Sequence, residues 1–141
     1  MQIRRATVED APACAAIVHR WLARTAWIVT PPTLAQLTGG LEAGIEAYQV
    51  WVAGDPVAGY LSFGPDEAMI RGFYTAAPGS GAGKQLLDHI KTGQARLQLW
   101  THTPNTRAHA FYLREGFVFS GDERPGDDGP TERHMYWERT T

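Results

Sequence analysis

Cysteine is nearly absent from this chain. The single Cys14 excludes an intramolecular disulfide and suits a reducing compartment. A surplus of either charge is missing too: the formal net charge is −2, and Lys and Arg are scattered rather than striped. Nothing electrostatic therefore argues for nucleic acid or an anionic membrane as a partner. No uninterrupted apolar run approaches the roughly 20 residues of a membrane-spanning helix. The opening Met1-Gln2-Ile3-Arg4-Arg5 lacks the apolar core of a secretion signal, so the cytoplasm is the expected location. Internal repeats and low-complexity tails are also lacking. What is present is the composition of an ordinary globule, 43% hydrophobic and 20% charged over 141 residues. That length suits one domain spanning residues 1–141, with a real core.

The hydrophobic spacing divides the chain into alternating elements. Residues 2–6 read as a short edge strand, and Thr7 with Asp10 has the form of a capping box ahead of a helix, whose start Pro12 sets a few residues later than Thr7. Cys14, Ile17, Val18, Trp21 and Leu22 give that helix an apolar face. Residues 24–33 read as a loop, and a weaker helix follows on Leu34, Leu37, Leu41 and Ile45, interrupted by glycines. Strands are expected at 48–53, 57–63 and 68–75, the first two joined by Gly54-Asp55-Pro56. After a glycine loop come a helix at 85–91, a strand at 96–101, a helix at 105–115, and a final hairpin of 117–121 with 133–138. The order β-α-α-β-β-β-α-β-α-β-β predicts a mixed α/β sheet with helices packed on it.

Ala77-Pro78-Gly79-Ser80-Gly81-Ala82-Gly83-Lys84, between a strand and a helix, carries the strongest chemical signal. Alternating glycines let main-chain N–H groups crowd around an anion at the positive end of a helix, which predicts a phosphate or pyrophosphate cradle. A nucleoside-triphosphate loop, G-x-x-x-x-G-K-[ST], fits poorly, with Pro78 at the leading glycine and Gln85 at the magnesium-binding hydroxyl. A dinucleotide fingerprint, G-x-G-x-x-G, fails at Lys84 or at Leu86, depending on where it starts.

The same stretch resembles the pyrophosphate-binding segment of the Gcn5-related N-acetyltransferase (GNAT) superfamily, [Q/R]-x-x-G-x-[G/A]. It is matched here by Pro78-Gly79-Ser80-Gly81-Ala82-Gly83. Pro78 stands where the family prefers Gln or Arg, a change that leaves the backbone donors from Gly79 to Lys84 unaffected. Residues Asn105 to Phe117 match the family's N-x-x-A-x-x-F-Y-x-x-x-G-F pattern at every fixed position, one helix and one strand further on. Ile3 to Ala11 resembles the family's first strand and helix, so the resemblance covers nearly the whole chain.

The resemblance implies a mostly antiparallel sheet of about seven strands with helices on both faces, splayed between its fourth and fifth strands. It implies acetyl-coenzyme A (acetyl-CoA) as co-substrate, no metal, and direct acetyl transfer to a primary amine of a small molecule or peptide. Gly79, Ser80, Gly81, Ala82, Gly83 and Lys84 would hold the pyrophosphate, with Arg107 reaching a phosphate. Phe73, Tyr74 and Thr75 would pair with the pantetheine amides, one N–H facing the thioester oxygen, and Asn105 would contact the same arm. Tyr112 would protonate the leaving thiolate. Glu67, His102 and Asp66 remain open as the base for the amine, and Trp27 is the best choice for lining an acceptor site. Bland readings stand beside these: a helix N-cap for Asn105, solvated charge for Lys84 and Arg107, a solvated hairpin tip for Asp127, Asp128 and Glu132. A coenzyme A-binding module without catalysis is the alternative function. Dimers are common in similar proteins, so a homodimer is possible.

Overall fold

The computed structural model describes residues 1–140. A seven-stranded sheet runs in the order β1-β2-β3-β4-β5-β7-β6, with strands β1 (Ile3–Arg5), β2 (Gln49–Ala53), β3 (Gly59–Gly64), β4 (Met69–Thr75), β5 (Arg96–His102), β6 (Val118–Arg124) and β7 (Glu132–Glu138). Every neighbouring pair is antiparallel except β4 and β5, which are parallel. The helices are α1 (Ala11–Ala23), α2 (Leu34–Ala47), α3 (Ala82–Thr92) and α4 (Thr106–Arg114).

The alternation of side chains along β2 and β3 creates two cores, one on each face of the sheet. Leu61, Phe63 and Ala53 face Leu86, Leu87 and Ile90 of α3 and Tyr112 of α4, in a cluster that also takes Leu97, Leu99, Phe117 and Met135. Val50, Val52 and Tyr60 face Cys14 and Val18 of α1, with Leu37, Leu41 and Ile45 of α2 packed against them. Mixed architecture, seven strands and helices on both faces agree with the sequence reading.

Thr7 opens a short 3-10 turn, its N–H donating to the Asp10 carboxylate at 2.8 Å, and α1 begins at Ala11, with Pro12 in its first turn, the later start that Pro12 implied. Several other boundaries differ, each for a local reason. The interrupted second helix runs unbroken over 14 residues, because Gly39, Gly40 and Gly44 meet no packing demand and Thr33 and Gln36 cap its start reciprocally. Tyr48 closes α2 instead of opening β2. Residues 57 and 58 belong to the turn before β3. Helix α3 starts at Ala82, three residues before the amphipathic run, since Gly81 caps it from a left-handed conformation. The final hairpin is longer than expected: β6 reaches Arg124 and leaves only residues 125–131 as its loop, the register being broken between Phe119 and Glu123.

Candidate active site

Strands β4 and β5 pair only at Met69 with Gln98 and Ile70 with Leu99, then run on to Thr75 and His102 without pairing again. A bulge contributes to the divergence. Ser62 opposes Gly72 and Phe63 opposes Ile70, which leaves Arg71 unopposed and bends β4 away. The gap opens into two cavities, one of about 1020 Å³ beside the glycine loop and one of about 410 Å³ on the other side. Trp21, Phe73, Tyr74, Asn105, Ala108 and Tyr112 line both.

The larger cavity receives most of the residues picked from the sequence: Phe73, Tyr74, Thr75, Gly79, Ser80, Gly81, Gly83, Lys84, Asn105, Arg107 and Tyr112. Gly79 and Gly81 adopt φ of +81° and +90°, conformations that favour glycine, and they turn the loop into α3. Ser80 N–H is held by the Ala77 carbonyl at 3.3 Å and Ala82 N–H by the Ser80 hydroxyl at 3.4 Å. The N–H groups of Gly79, Gly81, Gly83 and Lys84 take no acceptor within the described residues. They sit at the positive end of the α3 dipole. The Ala82 side chain is fully buried in the core, so it holds the helix start down and does not line the cavity.

Four cations, Arg24, Lys84, Arg107 and Arg114, and one carboxylate, Glu115, line this side. Lys84 is paired with Glu115 at 3.1 Å and Asp88 at 3.4 Å, and these partners raise its pKa, hydrogen bonding to Glu115 foremost. Asn105 caps α4, its side-chain oxygen accepting from Ala108 N–H at 3.3 Å, so the bland reading holds while the residue also borders both cavities.

Tyr112 lies at the seam, only 8% exposed, against Phe117, Phe111 and Phe73. Burial, with a smaller contribution from Tyr74, pushes its phenol well above the ordinary value. Tyr74 is pushed up to about 12, first by burial and then by the carboxylates of Asp128 and Glu132. Cys14 is fully buried in the opposite core, its thiol pushed up to about 12 by burial and by Asp10. It is not placed to carry an acyl group.

The smaller cavity separates the candidate bases. Asp66 is exposed and outside its lining. Glu67 lines the rim, but its carboxylate is engaged by the Arg71 guanidinium at 2.8 Å. His102, at the end of β5, lines the wall, with Nε2 2.8 Å from Asp128 Oδ2. Trp27 stops short of the lining and packs on the His102 ring, with centroids 5.0 Å apart. Trp21, Trp100, Arg124, Asp128 and Glu132 line the smaller cavity too; sequence reasoning passed over Trp21 and Arg124 and read Asp128 and Glu132 as a solvated hairpin tip. Trp21 continues the apolar stripe of α1 and reads as core; its position in the last helical turn before a loop was the available signal.

Residues 18–117 match the Acetyltransferase (GNAT) family, which is more than half of the chain. The chain belongs to that family, whose members transfer acetyl groups from acetyl-CoA. No curated protein matches it significantly. Its fold is similar to that of the ribosomal-protein-alanine N-acetyltransferase from Brucella melitensis, at 24% identity and TM-score 0.75, over 99% of this chain and 100% of that one. It is similar also to YncA from Salmonella typhimurium with its cofactor acetyl-CoA, at 21% identity and TM-score 0.72, over 100% and 95% of the two chains. YjaB from Escherichia coli, in its apo form, gives 18% identity and TM-score 0.78, over 96% of each. Among the described residues no helix is long and apolar enough to cross a membrane.

Proposed function

We propose that residues 1–141 form a single acyltransferase domain that moves an acetyl group from acetyl-CoA to a primary amine by direct attack in a ternary complex. The observation that carries this reading is the divergence of β4 from β5 after two residue pairs. It leaves main-chain groups of β4 beside a cleft that leads to four unpaired N–H groups at the α3 terminus. An extended pantetheine arm supplies the amides a missing strand would, and its diphosphate meets the helix end and the surrounding cations.

In this arrangement one β4 amide near Phe73 or Tyr74 donates to the thioester oxygen as negative charge develops there. The amine nitrogen attacks the carbonyl carbon from the smaller cavity, the C–S bond breaks, and Tyr112 gives its proton to the departing sulfur. Burial makes the phenol a weaker acid, and a thiolate leaving beside it would lose hydration in the same way and become a stronger base, which offsets the Tyr112 shift. The placement of Cys14 argues against a two-step route through an acyl-cysteine.

Thermal stabilisation by coenzyme A, and none by ATP with magnesium, is the expected first result. Thiol release from acetyl-CoA with a panel of primary amines then separates an enzyme from a module that only binds. Stabilisation by ATP with magnesium alone would overturn the reading.

A further inference from the structure

His102 is gripped from every side but one. Its ring stacks near Trp21 with centroids 6.2 Å apart and lies 5.0 Å from the Trp27 ring. Its backbone carbonyl accepts from Asn105 N–H at 3.0 Å and lies 3.1 Å from His109 Nε2, which ties the end of β5 to α4. Nε2 is 2.8 Å from Asp128 Oδ2 and 3.9 Å from Glu132 Oε2. Nδ1 has no hydrogen-bond partner among the described residues. A carboxylate can only accept, so a neutral ring in this position must carry its proton on Nε2 and keep its lone pair on Nδ1.

The loop that brings Asp128 is itself fastened to the strand that carries His102. Thr103 N–H donates to the Thr131 carbonyl at 2.9 Å, and the two threonine hydroxyls are 2.8 Å apart. Glu132 opposes His102 across the β5–β7 ladder and is held by Arg124 Nε at 2.7 Å. The three residues His102, Asp128 and Glu132 bring possible ligand atoms within 4.8 Å of one another. Arg124 neutralises Glu132 and the imidazole engages Asp128 Oδ2, while Asp128 Oδ1 is buried without a hydrogen-bond partner among the described residues, a set of charges that suits a protonated ring. Tyr74 lines the same cavity, and both carboxylates add to the burial that pushes its phenol up.

We propose that His102 and Asp128 form the acid-base dyad of this site, Asp128 holding Nε2–H so that Nδ1 takes the proton of the attacking amine. This rests on the acetyl-transfer reading above. The amine binds neutral, its nitrogen forms the new N–C bond, and its proton passes to Nδ1. Tyr112 protonates the sulfur and is reprotonated through water from the imidazolium, so that one proton has moved from nitrogen to sulfur and both side chains end as they began. Asp128 is a positioning residue.

The test has one arm that needs no acceptor. With histidine labelled in both ring nitrogens and coenzyme A added, long-range proton–nitrogen correlation should show neutral His102 protonated at Nε2, and Asp128→Ala should dissolve that preference. The other arm follows thiol release from acetyl-CoA with L-alanine, L-lysine, spermidine and an alanine-initiated peptide. On whichever amine is used, His102→Gln should lower kcat about 100-fold or more and flatten the acid limb of the pH profile, with KM for acetyl-CoA unchanged. Asp128→Asn should lower kcat about 10-fold and keep that limb, and Asp128→Glu should recover part of the loss. A wild-type ring protonated at Nδ1 overturns the dyad, as does a His102→Gln variant that turns over at the wild-type rate. Failure of coenzyme A to stabilise the wild type would instead sink acetyl transfer, while the tautomer would still decide the pairing.

Discussion

Along β4 and the first turn of α3, the groups turned toward the cleft are main-chain amides, aimed by two left-handed glycines and a helix start. Around His102 they are side chains, gathered from α1, β5, β7 and the loops at 24–33 and 125–131. The first arrangement is local: one strand, a glycine turn and a helix start, adjacent in the chain, specify it. The second is assembled from distant positions, and changing one side chain there changes what can be recognised. A site of this kind can keep one common donor while its acceptor side is rebuilt.

Tyr112 joins the two sides, and its effect should be among the largest, alongside that of His102. Tyr112→Phe is expected to lower kcat about 100-fold, about 2.7 kcal/mol of transition-state stabilisation, while the Kd for coenzyme A stays near the wild-type value. Steady-state kinetics with a binding titration would check this, and unchanged turnover would remove Tyr112 from its role. Gly81→Val puts a β-branched residue at φ +90° and should weaken coenzyme A about 10-fold or more, read by calorimetry. Wild-type affinity in that variant would mean that backbone geometry is not what holds the carrier.

A smaller effect concerns the scaffold that carries Trp21 to the acceptor side. Asp10 accepts from both Arg4 guanidinium nitrogens at 2.8 Å, a pairing that, with the Thr7 N–H, holds its carboxyl below the usual range although burial opposes it. Its folded pKa lies below its unfolded one, so its contribution is present above about pH 4 and lost as pH falls through the folded value. Asp10→Ala should cost about 1 kcal/mol at pH 7 in urea unfolding, with the two proteins converging in acid. The smallest change should come from Lys84→Ala. Its ammonium is already shared between Glu115 and Asp88, so the Kd for coenzyme A should move less than about threefold. A larger loss would show that a side chain and not the main chain dominates the carrier side.

These two sides also differ in how far they could be read in advance. The glycine loop is a contiguous pattern whose chemistry follows from conformation, whereas the roles within Asn105 to Phe117 were legible only through the resemblance to the family motif; all of the residues named for the carrier except Ala82 border the larger cavity. Ala82 lies on the apolar face of α3 with Leu86 and Ile90, so its side chain turns to the core. Among the candidate bases, Glu67 and His102 looked alike in the chain. An ion pair with Arg71, four residues on, engages one, and a loop 26 residues away orients the other. Asp128 read as a hairpin tip, since nothing near it reveals that Thr131 fastens its loop to Thr103.

The order of elements, the two apolar faces and the glycine turn that opens α3 were decided by the chain itself, because periodicity, glycine conformation and helix ends are properties of neighbours in sequence. The divergence of β4 from β5, the seam position of Tyr112 and the pairing of His102 with Asp128 were decided only by folding. Each depends on strand register and on a loop closing over residues far away, and distances of that kind are written in no local stretch of residues.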